Sequence, residues 1–268
     1  MKSLWVSMET IHDVTYFAPE ARAAHEAVGL RGFWRGYVAM RAAPLGAAPL
    51  GLVSAVFYNF APRFLARSLP EVWSLASPSV ALEARLSGAV AVLGSFEVPV
   101  LGTLRSLVSA VSWAGRPLGA ANAALPWPDD PVGALWHACT VLREHRGDGH
   151  NAVLAAEGID GVEAHVLRDA ADGSRGLVQP ARGWTDAEWD AGVERLTARG
   201  LLASGSLTPS GLALRTHIEA RTDALGAVPY ASIPLGDLET LNTFLRPVAR
   251  RLVPSVNPHP NPVGAPAP

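Results

Sequence analysis

Residues 150–167 read HNAVLAAEGIDGVEAHVL, which is typical of two helices joined by a glycine turn. Alanine and leucine favour helix in the first half of the stretch, and Gly158 marks the turn before the second helix. This order matches the helix-turn-helix motif, in which a small residue lies early and a glycine makes the turn. We therefore interpret the surrounding sequence as a helix-turn-helix unit.

The residues that follow predict the other parts of a winged helix. Thr185 and Glu188 have the spacing of a capping box, and the helix that they open ends at Gly200. Residues 201–208 (LLASGSLT) predict a small hairpin that turns at Ser204-Gly205, and Thr208-Pro209 predicts the cap of the next helix.

A similar order of elements is found in the first half of the chain. Trp34 and Arg41 have the same spacing as Trp136 and Arg143, and similar helical patterns follow in both halves. Ser77-Pro78 predicts a capped helix, at a place in the first half that corresponds to Thr185 in the second.

We predict a mainly α protein of two pseudo-symmetric winged-helix lobes with small β-wings, produced by an internal duplication. The lobes span residues 1–125 and 126–253. The proline-rich tail, residues 254–268, is predicted to be disordered or draped over the surface.

Composition limits the classes of function. The chain has 268 residues with 49% hydrophobic and 17% charged residues, which describes a globular protein with a well-filled core. A formal net charge of −2 argues against nucleic acid as the main partner. Cys139 is the single cysteine, which excludes an internal disulfide and a thiolate zinc cage.

The N-terminus lacks the pattern of a signal peptide, and Pro44, Pro49 and Asn59 interrupt the longest apolar stretch, so we expect a cytoplasmic protein with no membrane partner.

Residues 143–150 (REHRGDGH) concentrate ionisable groups of both signs and suit several kinds of site. In an acid-base site, His145 or His150 would move a proton while Glu144 or Asp148 orients the ring. In an anion site, Arg143 and Arg146 would hold a carboxylate or phosphate. A metal site would use the two histidines with Asp148 or His137. Their spacing matches no standard motif, so we assign no metal ligand and leave the cofactor unknown.

A structural role is the alternative for this stretch. Histidine and arginine favour the last turn of a helix, so residues 143–150 could end one helix, with Asp148 capping another that begins near His150. The corresponding place in the first half keeps only the charge of Arg41.

Residues 57–60 (FYNF) are the second unusual stretch, because Tyr58 and Asn59 interrupt an aromatic run that begins at Phe57. One interpretation is core packing. The other is a pocket wall in which Tyr58 and Asn59 bond to a ligand. The further candidate ligand-binding residues are Trp34, Tyr37, Arg41, Phe57 and His137.

The stretches GFWRGY, VFYNFAPRFLARSLPEVW and WHACTVLREHRGDGHNAVLAAEGIDGVEAHVL resemble an actinobacterial helix-turn-helix family of unsettled function, and the resemblance covers nearly the whole chain. Residues 184–225 are also similar to winged-helix regulators of the multiple-antibiotic-resistance type. The resemblance implies two winged-helix lobes in one chain, like a regulator dimer fused end to end. It implies no reaction.

The segment predicted to face DNA is poor in cations. Residues 161–168 carry Glu163, His165 and Arg168 without a basic cluster, and residues 201–208 contain no arginine or lysine. The leading hypothesis is therefore a small-molecule-binding protein with a pocket between the lobes, an anionic or aromatic ligand, and weak or no duplex DNA binding. An enzyme on the same scaffold and a DNA-binding transcriptional regulator are the alternatives. The sequence leaves the oligomeric state and the identity of the ligand open.

Overall fold

The computed structural model describes residues 2–256, 261–263 and 267–268, and it is mainly helical. The first half contains α1 (Lys2–Phe17), α2 (Pro19–Ala27), α3 (Phe33–Ala42), α4 (Leu50–Phe57), α5 (Pro62–Leu65), α6 (Val72–Leu75), α7 (Pro78–Leu93), α8 (Leu101–Ser109) and α9 (Pro117–Ala123). The second half contains α10 (Pro131–Ala156), α11 (Gly161–Asp172), α12 (Arg175–Arg182), α13 (Asp186–Ala198), β1 (Leu202–Ala203), β2 (Ser206–Leu207), α14 (Pro209–Ala227) and α15 (Leu235–Val256). Short 3-10 turns lie at Ala43–Leu45 and Val228–Ser232.

Local signals in the sequence placed several element boundaries correctly. The side chains of Ser77, Thr185 and Thr208 each accept a hydrogen bond from the backbone three residues later, and Thr185 with Glu188 forms the predicted capping box. The strands β1 and β2 pair antiparallel across the predicted turn. Ser204 and Gly205 have φ values of 49° and 77° there, as a tight two-residue hairpin requires.

The prediction that a helix ends within residues 143–150 is wrong. Helix α10 runs without interruption from Pro131 to Ala156, through both Gly147 and Gly149. Asp148 is therefore not a helix cap. Packing explains the glycine at position 149, since a Cβ on Gly149 would overlap the guanidinium of Arg116. The predicted turn at Gly158 is confirmed by its φ of 64°.

Helix α1 was not predicted from the sequence, because it buries polar residues as well as apolar ones. His12 lies inside the protein, where its ring nitrogens hydrogen-bond with Thr140 (2.9 Å) and Tyr16 (2.8 Å). The indole of Trp136 donates to the carbonyl of His12 at 3.4 Å. The partners of His12 lie on the next turn of α1 and on α10, so no local sequence pattern predicts these contacts.

Three apolar clusters form the interior. The first joins α1, α7, α8, α10 and α15, with Met8, Trp136 and Leu245 among its members, so it draws residues from both halves of the chain. The second lies within the first half around Met40 and Phe57. The third lies within the second half around α11, α13 and the hairpin.

Two further predictions differ from the structure. Residues 2–125 contain helices and no strand, so the hairpin of the second half has no β counterpart there. Helix α15 continues through Pro254 to Val256, three residues into the predicted tail. Of the tail, residues 257–260 and 264–266 lie outside the described residues, whereas Asn261 is buried and Pro262 contacts the second half.

In the described part of the chain, no single helix has the length and apolar character needed to cross a membrane. One bent pair, Phe33–Leu45 with Leu50–Phe57 at 97°, satisfies the criteria of length and composition.

Candidate ligand cavity between the halves

A cavity of about 510 Å³ lies between the two halves of the chain. Its walls come from α1, α3, α4, α10, α11, α12, α14 and the tail residues Pro262 and Val263. The lining carries six arginines against four carboxylates: Arg41, Arg143, Arg146, Arg168, Arg182 and Arg215, with Glu9, Asp172, Glu219 and Asp223. The volume falls in the usual range for small-molecule sites.

Continuity of α10 decides which of its charged residues face this cavity. Arg143, Arg146, Gly147, His150 and Leu154 line it, and their spacing places them on one face of the helix. His145 and Asp148, two and five residues after Arg143, point to the opposite side of the helix. The helix thus divides the charged stretch into two groups with different surroundings.

The floor of the cavity is a buried network of ion pairs. Arg41 holds Glu144 through two nitrogens, with Nε at 3.1 Å and Nη2 at 3.3 Å from its two oxygens. Arg143 lies 3.1 Å from the same carboxylate and 3.0 Å from Glu9. Burial alone would raise the pKa of Glu144, but Arg41 and Arg143 outweigh it and hold that pKa well below its ordinary value. Glu144 therefore remains charged and joins the two halves.

Aromatic rings lie under three of the arginines that line the cavity, Arg41, Arg146 and Arg182. The guanidinium of Arg41 lies 4.5 Å from the ring centre of Phe57, and that of Arg146 lies 4.1 Å from Trp5. Such contacts restrain a guanidinium while leaving its edge free for hydrogen bonds. Arg146 also binds Asp223 at 2.8 Å.

A strained turn places Asn59 in the wall. Tyr58 has φ 41° and ψ −58°, and the amide of Asn59 donates to the carbonyl of Phe57 at 2.5 Å, which is the hydrogen bond of a γ-turn. The Tyr58 hydroxyl donates to the carbonyl of Ile159 at 2.6 Å, so Tyr58 joins the halves and does not line the cavity. The Oδ1 atom of Asn59 is buried without a hydrogen-bond partner among the described residues.

Arg182 enters the cavity from the C-terminal end of α12. The helix stops at Gly183, whose φ of 75° and close approach to Phe64 leave no space for a side chain. The carbonyl of Arg182 accepts the amide of Ala61 at 3.0 Å. Its guanidinium lies 4.6 Å from the ring centre of Phe60. The backbone of the first half thus fixes an arginine of the second.

His150 presents a defined face to the cavity. The hydroxyl of Thr222 donates to the carbonyl of Ile218 at 2.8 Å, so it accepts from Nδ1 of His150 at 3.0 Å. Burial lowers the pKa of His150, and its ring is neutral at neutral pH. The neutral ring therefore carries its proton on Nδ1 and a lone pair on Nε2.

His145 and Asp148 lie on the other face of α10, away from the cavity. The ring of His145 packs edge-on against Trp113, and burial lowers its pKa to about 4. Asp148 accepts the amide of Gly119 at 2.8 Å through Oδ2, and its Oδ1 has no partner among the described residues. Burial raises the pKa of Asp148 to about 7.

Trp34 and His137, both predicted to contact a ligand, pack elsewhere. Trp34 lies edge-on to Phe64 and Tyr37 in the cluster of the first half. His137 is buried against Trp127, and burial lowers its pKa to about 4. Of the predicted ligand-binding residues, those that line the cavity are Tyr37, Arg41, Phe57, Asn59, Arg143 and Arg146. Of the predicted catalytic residues, only His150 does.

The sequence interpretation missed several lining residues. Trp5 and Glu9 lie on the unpredicted α1, and Arg168, Arg182 and Arg215 are far along the chain from residues 143–150. His165 also lines the cavity, and its Nε2 is buried without a hydrogen-bond partner among the described residues. Only the spacing of Arg143, Arg146, Gly147 and His150 on one continuous helix could have indicated a shared face. Within the part of the chain that the structure describes, no three histidine, cysteine or acidic side chains are grouped as metal ligands.

The helix that precedes the hairpin has an acidic surface. Helix α13 carries one arginine, Arg195, against four carboxylates at Asp186, Glu188, Asp190 and Glu194. Arg195 is held by Asp160 at 2.7 Å and Glu163 at 2.8 Å. The segment that the sequence suggested as DNA-facing, within α11, buries Glu163 and His165.

A family model described as a helix-turn-helix family matches residues 1–258, and the chain belongs to that family. It therefore contains a helix-turn-helix domain of the type used for DNA binding. No curated protein and no solved structure matches the chain.

Proposed function

We propose that this helix-turn-helix protein binds a small organic molecule in the cavity between its halves and binds duplex DNA weakly or not at all. The observation that carries the proposal is the 510 Å³ cavity, which combines aromatic walls with buried polar atoms that have no partner in the described residues. A buried polar atom without a hydrogen-bond partner lowers the stability of the fold. Such atoms around a cavity therefore favour a ligand that hydrogen-bonds to them.

We further propose that the fold derives from two winged-helix lobes related by duplication. In the second half, the helices α11, α12 and α13 are followed directly by the hairpin β1–β2. Arg41 and Arg143, which have equivalent places in the two halves, both lie against Glu144. In this proposal the first lobe lacks the hairpin and supplies one wall of the cavity.

The distribution of charged residues supports the proposal that the protein binds duplex DNA weakly or not at all. Duplex DNA is bound through cations that contact phosphates. The helix before the hairpin carries mainly carboxylates, and its Arg195 is already paired with Asp160 and Glu163. The separation of His145 and Asp148 from His150 by the body of α10 gives no support to a shared acid-base site.

A neutral fluorescent probe tests ligand binding. We expect N-phenyl-1-naphthylamine to bind the full chain with a rise in fluorescence, because apolar walls exclude water from the dye. Gly147→Phe, which places a ring into the cavity from α10, should abolish this signal. Gly51→Phe is the matched control, since Gly51 lies in α4 with open space around a built Cβ. Equal binding by both variants would contradict the proposed site.

Anisotropy with a random-sequence duplex of about 30 base pairs tests the second part of the proposal. We expect no binding at low salt up to about 10 µM protein, a concentration at which ordinary non-specific DNA-binding domains associate. A salt-dependent rise in anisotropy below that concentration would favour a DNA-binding regulator instead.

A further inference from the structure

The arginines of the cavity differ in whether a carboxylate neutralises them. Arg168 lies 3.3 Å from Asp172, and the ion pairs of Arg41, Arg143 and Arg146 are given above. Arg182 has no acidic side chain within ion-pair distance among the described residues, although only 9% of it is exposed. A buried cation without a counterion is unfavourable, so the position suits an anion that arrives with a ligand.

The surroundings of Arg182 strengthen its attraction for an anion. Arg41, Arg143 and Arg168 are close enough to act on its charge, and these three cations add to the positive potential around it. Burial lowers the pKa of Arg182 to about 10, so its guanidinium is charged at neutral pH. Two further buried atoms of the lining, Nε2 of His165 and Oδ1 of Asn59, have no hydrogen-bond partner among the described residues. Oδ1 of Asn59 can only accept, so it would bond to a donor on the ligand and not to the acid group.

An oxygen of the protein's own tail already lies at this position. Nη2 of Arg182 donates to the carbonyl of Pro262 at 2.9 Å, and Nη1 of Arg168 donates to the same oxygen at 3.4 Å. The carbonyl stands in for one oxygen of an anion. It leaves Nε of Arg182 without a partner, whereas a carboxylate or phosphate could accept from Nε and Nη2 together.

We propose that Arg182 and Arg168 form the acid-binding subsite of the cavity, which takes the carboxylate or phosphate group of an organic ligand, and that the Pro262 carbonyl holds this place in the free chain. The inference rests on the proposed function and specifies the chemical class of its ligand. The aromatic part of the ligand lies against Tyr37, Phe57 and Phe60. Binding of the acid group displaces the Pro262 carbonyl from the two arginines.

Calorimetry with three matched probes tests the subsite: 2-naphthoate, 2-naphthyl phosphate and the neutral 2-naphthamide. We expect Arg182→Gln to weaken both anions at least about tenfold, the loss of one charged hydrogen bond, and to change the amide by less than about twofold. The control Arg35→Gln removes an exposed arginine that is paired with Glu71, and it should leave all three affinities unchanged. The anion that loses more affinity identifies the acid group that the subsite prefers.

A second substitution and a shortened chain test the subsite if Arg182→Gln does not fold. Arg168→Gln should weaken the anions selectively, and a chain that ends at Val256 should bind them more tightly because the competing carbonyl is gone. If the probes bind and no variant separates anions from amide, the subsite is wrong and the ligand cavity stands. If no probe binds even the shortened chain, the ligand cavity is wrong as well.

Discussion

Glu144 and Asp148 lie one helical turn apart on α10, and their surroundings give the two carboxyl groups opposite pKa shifts. Arg41 and Arg143 keep Glu144 charged inside the protein. Asp148 receives a backbone amide but no ion pair among the described residues, so burial dominates and raises its pKa to about 7. Glu144 is therefore a structural anion, and Asp148 is a group that titrates near neutral pH.

We predict that Asp148→Asn stabilises the protein more at pH 8 than at pH 4. The unfolded carboxyl releases its proton near its ordinary pKa of 3.8, whereas the folded one keeps it up to about 7. The stability of the parent protein therefore falls between these values as pH rises, and the amide removes that loss. Denaturant unfolding at both pH values measures the difference. A stability gain that is the same at pH 4 and pH 8 would argue against a raised pKa.

We predict that Glu144→Gln lowers the free energy of unfolding by about 3–5 kcal/mol, because it leaves Arg41 and Arg143 buried without their shared carboxylate. The control is Glu71→Gln, which breaks an exposed pair with Arg35 and should cost less than about 1 kcal/mol. Equal losses for the two variants would show that the buried network does not stabilise the fold.

The sequence could indicate some of the cavity residues but not Arg182. Arg143, Arg146 and His150 are close in sequence and unusual in composition. Arg182 sits at the end of α12, and it reaches the cavity only because Ala61 and Gly183 fix its backbone against the first half. No local pattern contains that information.

Helix α10 also shows that local sequence signals do not contain the tertiary contacts that decide where a helix ends. Caps at Ser77, Thr185 and Thr208 depend on neighbouring residues and were predictable. Gly147 and Gly149 of α10 indicated a helix end, since glycine weakens an isolated helix. Packing against α9 and the Arg116 side chain overrides that preference.

We predict opposite effects for alanine at Gly147 and Gly149 of α10. At Gly147 a new Cβ would lie 3.7 Å from its closest neighbour, so Gly147→Ala should stabilise by about 0.5–1 kcal/mol through helix propensity. At Gly149 the Cβ would overlap Arg116, so Gly149→Ala should destabilise despite the same propensity. Thermal unfolding of both variants provides the comparison. Stabilisation by both would mean that Arg116 moves aside freely.

At the scale of the whole molecule, the two halves share a core as well as a cavity. Residues of α1 and α15, from opposite ends of the described helices, pack in one cluster with Trp136. The mainly helical character and the helix-turn-helix family were accessible from the sequence. The contact between α1 and α15 was not, because it depends on which faces meet after folding.

We predict that acid destabilises the whole protein between pH 6.5 and 4. Burial lowers the pKa of six histidines below the ordinary value of 6.5: His12, His25, His137, His145, His150 and His165. Unfolding lets these rings bind protons, so stability falls as pH falls through this range, and the six histidines outweigh the opposite contribution of Asp148. The melting temperature should be lower at pH 5 than at pH 7. An equal or higher value at pH 5 would contradict the buried, neutral state of these rings.

The most direct measurement is a crystal structure of the full chain soaked with 6-bromo-2-naphthoate, with the bromine located by its anomalous scattering. We expect one bromine inside the cavity, the carboxylate on Nε and Nη2 of Arg182, and the Pro262 carbonyl moved away. A cavity without bromine at saturating probe, with Pro262 still bonded to Arg182, would contradict the claim that this cavity binds an organic anion.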